Sequence, residues 1–164
     1  FTNNENKGDS GTSNRVLGTF ITWLSEKTKP VFVVGTANNI SVLPLEVIRK
    51  GRFDEIFFLD LPLREEREEI FKIHIQEFRS QSWELFDYQK LGQLSESFSG
   101  AEIRQSIIEA MYYAFHEERE FTTKDICYAI KNIIPLSELD TKEIQLLQSW
   151  ASSGRIRPAS SKNI

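Results

Sequence analysis

Residues 31–74 read VFVVGTANNISVLPLEVIRKGRFDEIFFLDLPLREEREEIFKIH. The run VFVVG (31–35) is short, continuous, apolar and β-branched, and Pro30 precedes it. That pattern predicts a strand buried on both faces of a parallel sheet. A helical turn is expected around 44–49, and IFFLDL (56–61), stopped by Pro62, predicts a second buried strand. Upstream, Val16, Leu17, Phe20, Ile21 and Leu24 fall on one face of a helix. Helix, strand, short helix and strand make the rhythm of a three-layer α/β domain.

Beyond Pro62 the pattern changes. Residues 64–79 open with carboxylates, which the helix dipole favours, and carry Ile70, Ile73 and His74 along one face. A helix is expected over 87–94. Ser99-Gly-Ala-Glu102 is a capping-box pattern that opens a long helix through Ile103, Ile107, Ala110, Met111 and Ala114. Thr122 to Asp125 opens another, with Ile126, Ala129, Ile130 and Ile133 facing inward. Residues 140–153 form a further helix, closed by Gly154. No strand is expected after residue 63. The second half therefore reads as a small helical bundle.

Toward the other end, residues 1–14 are almost wholly polar and read as a mobile loop. The first residue is Phe1, and the expectation is a piece of a larger protein, cut inside a loop. Four segments follow: a polar loop over 1–14, a partial α/β subdomain over 15–62, a helical subdomain over 63–134, and a C-terminal helix with a basic tail over 135–164.

Composition removes several classes of function. A net charge of −4 gives no electrostatic argument for a nucleic-acid or membrane-surface partner. Cys127 is the single cysteine, so an intrachain disulfide framework is excluded. With two histidines 42 positions apart, His74 and His116, no zinc constellation forms, and no metal site is expected in this chain. The sequence contains neither a G-x-x-x-x-G-K-[ST] phosphate loop nor an apolar strand ending in Asp-Glu.

The residues left for chemistry are polar groups at strand ends. Asn38 follows VFVVG, where open α/β sheets bind ligands, and its amide can orient a water or sense a phosphate. Asn also simply shapes turns, and position alone favours that reading. Arg49 and Arg52 straddle Gly51, whose freedom of φ suits a turn that fixes both side chains outward. Rigidly presented guanidinium groups suit phosphate oxygens of a neighbouring subunit. An arginine at a helix end also caps carbonyls, which accounts for Arg49 better than for Arg52. His74 has the alternative of a partly buried helix histidine.

Taken together, residues 31–74 resemble the second region of homology of AAA-type ATPases: an apolar strand, Ala-Thr-Asn, paired arginines before Phe-Asp, a strand, a proline and Arg-x-x-Ile-x-x-x-His. The resemblance places Asn38 at the sensor-1 asparagine and Arg49 and Arg52, 11 and 14 residues later, at the paired arginine fingers. Ser99-Gly-Ala-Glu102 is similar to the sensor-2 segment. Ile70, His74, Gly100 and Ala101 match residues that close over the base and ribose. Two departures are mild: Thr36-Ala37 inverts the usual order, and Lys50 replaces a proline. Arg104 could face nucleotide in the manner of a sensor-2 arginine, although it falls later than that position, and the other reading is a solvated helix surface. Within the superfamily the chain is most similar to a branch found in algal plastids and cyanobacteria.

The implied fold is the carboxy-terminal portion of a P-loop NTPase α/β/α sheet, with about two strands present, followed by an all-α lid. The implied function is ATP hydrolysis at subunit interfaces of a homo-oligomeric ring that remodels a protein partner, in the plastid stroma or the cyanobacterial cytoplasm. ATP and Mg²⁺ would be held mainly by residues upstream of Phe1, so this chain alone is expected to be inactive. The alternative is a non-catalytic, partner-binding fragment of such a module. A clamp-loader-like, nucleic-acid-handling relative is a third reading. Its support is Arg155, Arg157 and Lys162, and the acidic net charge opposes it. No membrane or nucleic-acid partner is expected.

Overall fold

The computed structural model describes residues 7–38, 44–49, 51–139, 141–152 and 156–160. Its elements are α1 (Lys7–Glu26), α2 (Leu45–Ile48), β1 (Phe57–Phe58), α3 (Arg64–Phe78), α4 (Tyr88–Leu94), α5 (Gly100–His116), α6 (Thr123–Asn132), α7 (Leu136–Leu139), α8 (Thr141–Ala151) and β2 (Arg157–Pro158). A short 3₁₀ turn, Trp83–Leu85, precedes α4. The chain divides into two compact units, Phe1–Phe57 with Gly154–Arg157, and Phe58–Ser153 with Pro158–Ile164.

The second unit is the helical bundle expected from the sequence, and carboxylates start its helices. Glu66 accepts the Leu63 N–H at 2.8 Å, Asp87 accepts the Lys90 N–H at 3.0 Å, and Glu102 accepts the Ser99 N–H at 2.7 Å. At α6, Asp125 accepts the Thr122 N–H at 2.8 Å. Each bond satisfies a backbone donor at or near a helix start, where the helix itself offers no partner. The core gathers Phe71, Ile75, Leu91, Phe98, Ile103, Ile107, Ala110, Ala114, Ile126 and Ile130. At roughly 1.5–3 kcal/mol for each large side chain, their burial is the main stabilising term of this unit.

On α3 the buried face is Arg67, Phe71 and Ile75, spaced at i, i+4 and i+8. Ile73, expected on that face, is exposed, while Ile70 and His74 flank the face and are half-buried. Helix α5 ends without a glycine. Glu118 takes the left-handed conformation (φ 52°), and the Glu118 and Arg119 N–H groups bond the Phe115 and Ala114 carbonyls at 3.0 and 3.1 Å. That pair of bonds is a Schellman closure.

Four expectations are corrected. Residues 7–14 belong to α1 rather than to a loop. Extending an existing helix by one residue costs far less than nucleating one, and no proline interrupts 7–26. The run 31–35 is not a strand: no neighbouring strand pairs with it among the described residues, and Phe32 is 94% exposed. Of 56–61 only Phe57–Phe58 pairs, and Leu59 is 80% exposed. Finally, a strand does follow residue 63. The Arg157 N–H donates to the Ile56 carbonyl at 3.1 Å, and the Ala159 N–H to the Phe58 carbonyl at 2.8 Å. Both numbers advance by two, so β1 and β2 run parallel. Pro158, between the two donors, points its nitrogen away from β1, the one direction in which a missing N–H costs the ladder nothing.

The expected turn at 44–49 is present as α2, and 87–94 and 140–153 contain α4 and α8. The expected stop at Gly154, the start at Asp140, Lys50, and the basic residues Arg155 and Lys162 lie outside the described residues.

Candidate functional site

The residues singled out by the sequence divide between the two units. In the first, Asn38 stands exposed in the bend that follows the 31–35 run. Arg49 is the C-terminal cap of α2, with extended backbone (φ −69°, ψ 136°), and is exposed. Gly51 has φ +94°, the left-handed region that favours glycine. Any other residue there would carry backbone strain.

Arg52 is held differently from the outward fork expected. Its Nη1 donates to the Ile21 carbonyl of α1 at 3.0 Å. The same oxygen accepts the Ser25 hydroxyl at 3.0 Å. Ile21 and Leu24 are the buried residues of that stretch of α1, so the guanidinium leans on a turn anchored by buried side chains. Near the same turn, the Phe53 ring lies 3.8 Å from where a Cβ on Gly35 would stand.

In the second unit, Ile70 and His74 sit one helical turn apart on α3. Ile70 Cδ1 lies 4.0 Å from the position a Cβ on Gly100 would take. The Ile70 side chain of α3 therefore packs against the start of α5 at Gly100. His74 Nδ1 is buried without a hydrogen-bond partner among the described residues, and Glu77 Oε2 stands 3.5 Å away. His74 thus carries a ring nitrogen that the described residues leave without a hydrogen bond. Ala101 is exposed at the same helix start, where the first backbone N–H groups lack helical partners.

Arg104 places its guanidinium 5.8 Å from the Phe78 ring centre, a surface cation–π contact. Among the described residues, no group of three His, Cys, Asp or Glu side chains could hold a metal ion. Open clefts of about 290 Å³ (Glu68, Glu69, Lys72, Trp83, Glu84, Tyr88) and 790 Å³ (along Gly18–Val31) include none of the candidate residues. Among the described residues, no helix is long and apolar enough to cross a membrane.

Two residues that position the α3 side were not foreseen: Arg67 and Gly92. Arg67 lies among four glutamates in REEREEI, where it reads as a surface charge, yet it is buried. The one available signal was its place as the arginine of the Arg-x-x-Ile-x-x-x-His pattern. Gly92 lies in the last turn of α4. A Cβ there would collide with the Glu68 side chain and stand 3.2 Å from the Arg64 carbonyl.

Residues 1–61 match the family described as ATPase family associated with various cellular activities (AAA). Over all 164 residues the chain is 76% identical to the AAA domain-containing protein ycf46 of Trieres chinensis, covering 33% of that protein. It is 60% identical over 160 residues (98% of this chain) to the ycf46 protein of Pyropia yezoensis, covering 32% of it. It is also 37% identical over 105 residues, 63% of this chain, to the proteasome-activating nucleotidase of Archaeoglobus fulgidus, covering 26% of it. The chain spans about a third of the length of the most similar of these relatives.

Proposed function

We propose that the chain is a carboxy-terminal part of an AAA-type ATPase module and that the full-length protein hydrolyses ATP at the interfaces of an oligomeric ring; the family match over residues 1–61 and the 76% identity to an AAA domain-containing relative support this. The chain contributes two sets of residues. Asn38 orients the attacking water or reports on the γ-phosphate. Arg49 and Arg52 reach the nucleotide of the adjacent subunit and neutralise charge as it develops in phosphoryl transfer. Fingers of this kind are worth ~10³–10⁵ in rate in other phosphoryl-transfer systems. Ile70, His74, Gly100 and Ala101 close over the base and ribose. Mg²⁺ and the triphosphate are held by residues outside this chain. Similarity to the proteasome-activating nucleotidase supports a protein as the remodelled substrate, and the ycf46 relatives support a place in the plastid.

The observation that carries this reading is the ordered run Asn38, Arg49, Gly51 at φ +94°, and Arg52. Three functional groups and a backbone requirement agree at once.

The test is ATP turnover and nucleotide binding by the full-length protein and its Arg52→Ala variant. Turnover lost with ATP binding retained is the expected result. Undiminished hydrolysis in the variant would sink the finger assignment, and a wild type that neither binds nor hydrolyses ATP would sink the whole reading.

A further inference from the structure

Arg67, in the first turn of α3, is 8% exposed. Its Nη1 donates to the Pro62 carbonyl at 2.8 Å, while Nε and Nη2 both donate to the Gly92 carbonyl at 3.2 and 2.9 Å. Neither acceptor is charged. Burial pulls the guanidinium pKa down, opposed in part by the Glu96 and Glu65 carboxylates. Arginine remains ionised through any such shift, so a full charge is hydrogen-bonded here to backbone oxygens alone.

Each partner explains itself. α4 ends at Leu94, so the Gly92 carbonyl belongs to its last turn, whose oxygens lack helical partners and favour a cation. The Pro62 carbonyl lies at the entrance to α3. Gly92 has no side chain to keep the helices apart, and this lets the fork arrive. Only a planar donor with several N–H groups bridges two carbonyls in this way; an ammonium is a single point.

Arg67, Ile70 and His74 occupy positions i, i+3 and i+7 of α3, adjacent rows of one helix. Fixing Arg67 fixes the rotation of α3 about its axis, and with it the direction in which Ile70 and His74 face. We propose that Arg67 is a positioning residue for the nucleotide site: it acts through Ile70 and His74, holding them in register with Gly100, and touches no nucleotide itself. The inference rests on the nucleotide role assigned above to those residues.

The test uses full-length protein carrying Arg67→Lys, which keeps the charge and loses the fork. Arg67→Gln, a neutral donor that strands no buried charge, serves if the lysine variant does not fold. Two readouts are taken. The first is carbethoxylation of His74 by diethyl pyrocarbonate, followed by peptide mass spectrometry, with exposed His116 as internal control. A severalfold faster reaction at His74, with His116 unchanged, is expected. The second is the KM-against-kcat split for ATP. A KM raised roughly ten- to a hundredfold with kcat nearly unchanged is expected, because misplacement of a binding group by about an ångström has effects of that size. Unchanged His74 reactivity overturns the inference whatever ATP does. Faster His74 reaction with unchanged KM also overturns it, since the fork would then serve the fold alone. A wild type that fails to bind ATP, with His74 still responding, removes the nucleotide reading and leaves Arg67 as an orienting group for a different ligand.

Discussion

Arg52 donates a hydrogen bond from Nη1 to the Ile21 carbonyl at 3.0 Å, from the loop after α2 to the body of α1. The group proposed to act on a neighbour's nucleotide is thus docked on its own polypeptide. The contact makes Arg52→Met a stability test in the isolated chain. A charged donor on a partly buried carbonyl contributes about 1 kcal/mol after competition with water. Loss of about that much in urea unfolding, with faster amide exchange over residues 21–25, is expected. No change in either places Arg52 outside the resting fold.

Gly92→Ala is expected to destabilise the helical unit by about 1–2 kcal/mol. Ala gains up to about 1 kcal/mol over Gly in a helix interior, but its Cβ would press on the Arg64 carbonyl, 3.2 Å away, and overpacking of this kind costs about 1–3 kcal/mol. Glu68 can swing aside, whereas a helix carbonyl cannot. A urea midpoint equal to or above wild type would contradict the close approach of α3 and α4.

Acid should unfold the α5–α6 part in a defined window. Arg119 donates to both Asp125 oxygens, at 2.8 and 2.7 Å. These bonds, opposed by burial and helped by Thr122, hold the carboxyl down at about 2 against an ordinary 3.8. A depressed folded pKa means that the contribution is fully present above the unfolded value and is lost as pH falls through the folded one. The loss therefore runs from about pH 4 to about pH 2. Glu102 shifts the same way: burial alone would raise it, but the Ser99 hydroxyl, the Ser99 amide and the Leu136 amide together outweigh that. Circular dichroism against pH should show Asp125→Asn less stable at neutrality, with a flatter acid limb. An acid limb identical to wild type would remove Asp125 from the account.

Glu118→Gly is expected to stabilise the chain by about 0.5–1 kcal/mol. Glu118 closes α5 at φ 52°, where a Cβ costs roughly 1–2 kcal/mol that glycine avoids, less the extra freedom glycine has when unfolded. A lower midpoint in the variant would mean that the Glu118 side chain contributes more than its backbone costs.

The helical half was legible because its signals are local. Ser99 with Glu102 and Thr122 with Asp125 announce helix starts, and the 3.6 period of Ile103, Ile107, Ala110 and Ala114 gives the buried face. The extended segments were not, because strand formation depends on a neighbour that the residues themselves do not encode. VFVVG has every β-favouring property yet stays exposed. Arg157-Pro158 has none and pairs. The end of α5 was invisible because Glu118 stands where a glycine would have marked it. Of the candidate residues, the order of Asn38, Arg49 and Arg52 was plain in the sequence, whereas the tie of Arg52 to α1 was not. Arg67 was hidden by its acidic neighbours, since charge patterning on a helix reads by default as surface.

Pro158 carries a consequence for how this molecule meets copies of itself. An open β-edge is a template on which a second chain can add, and runaway addition of that kind ends in fibrils. On the outward rim of β2, the position that would offer a donor to an incoming backbone is Pro158, whose nitrogen carries no hydrogen. The rim can accept but not give, and a newcomer finds no reciprocal pair to begin zippering. β2 is thus a terminator: it takes up one side of β1 and passes no growing edge on to the next molecule.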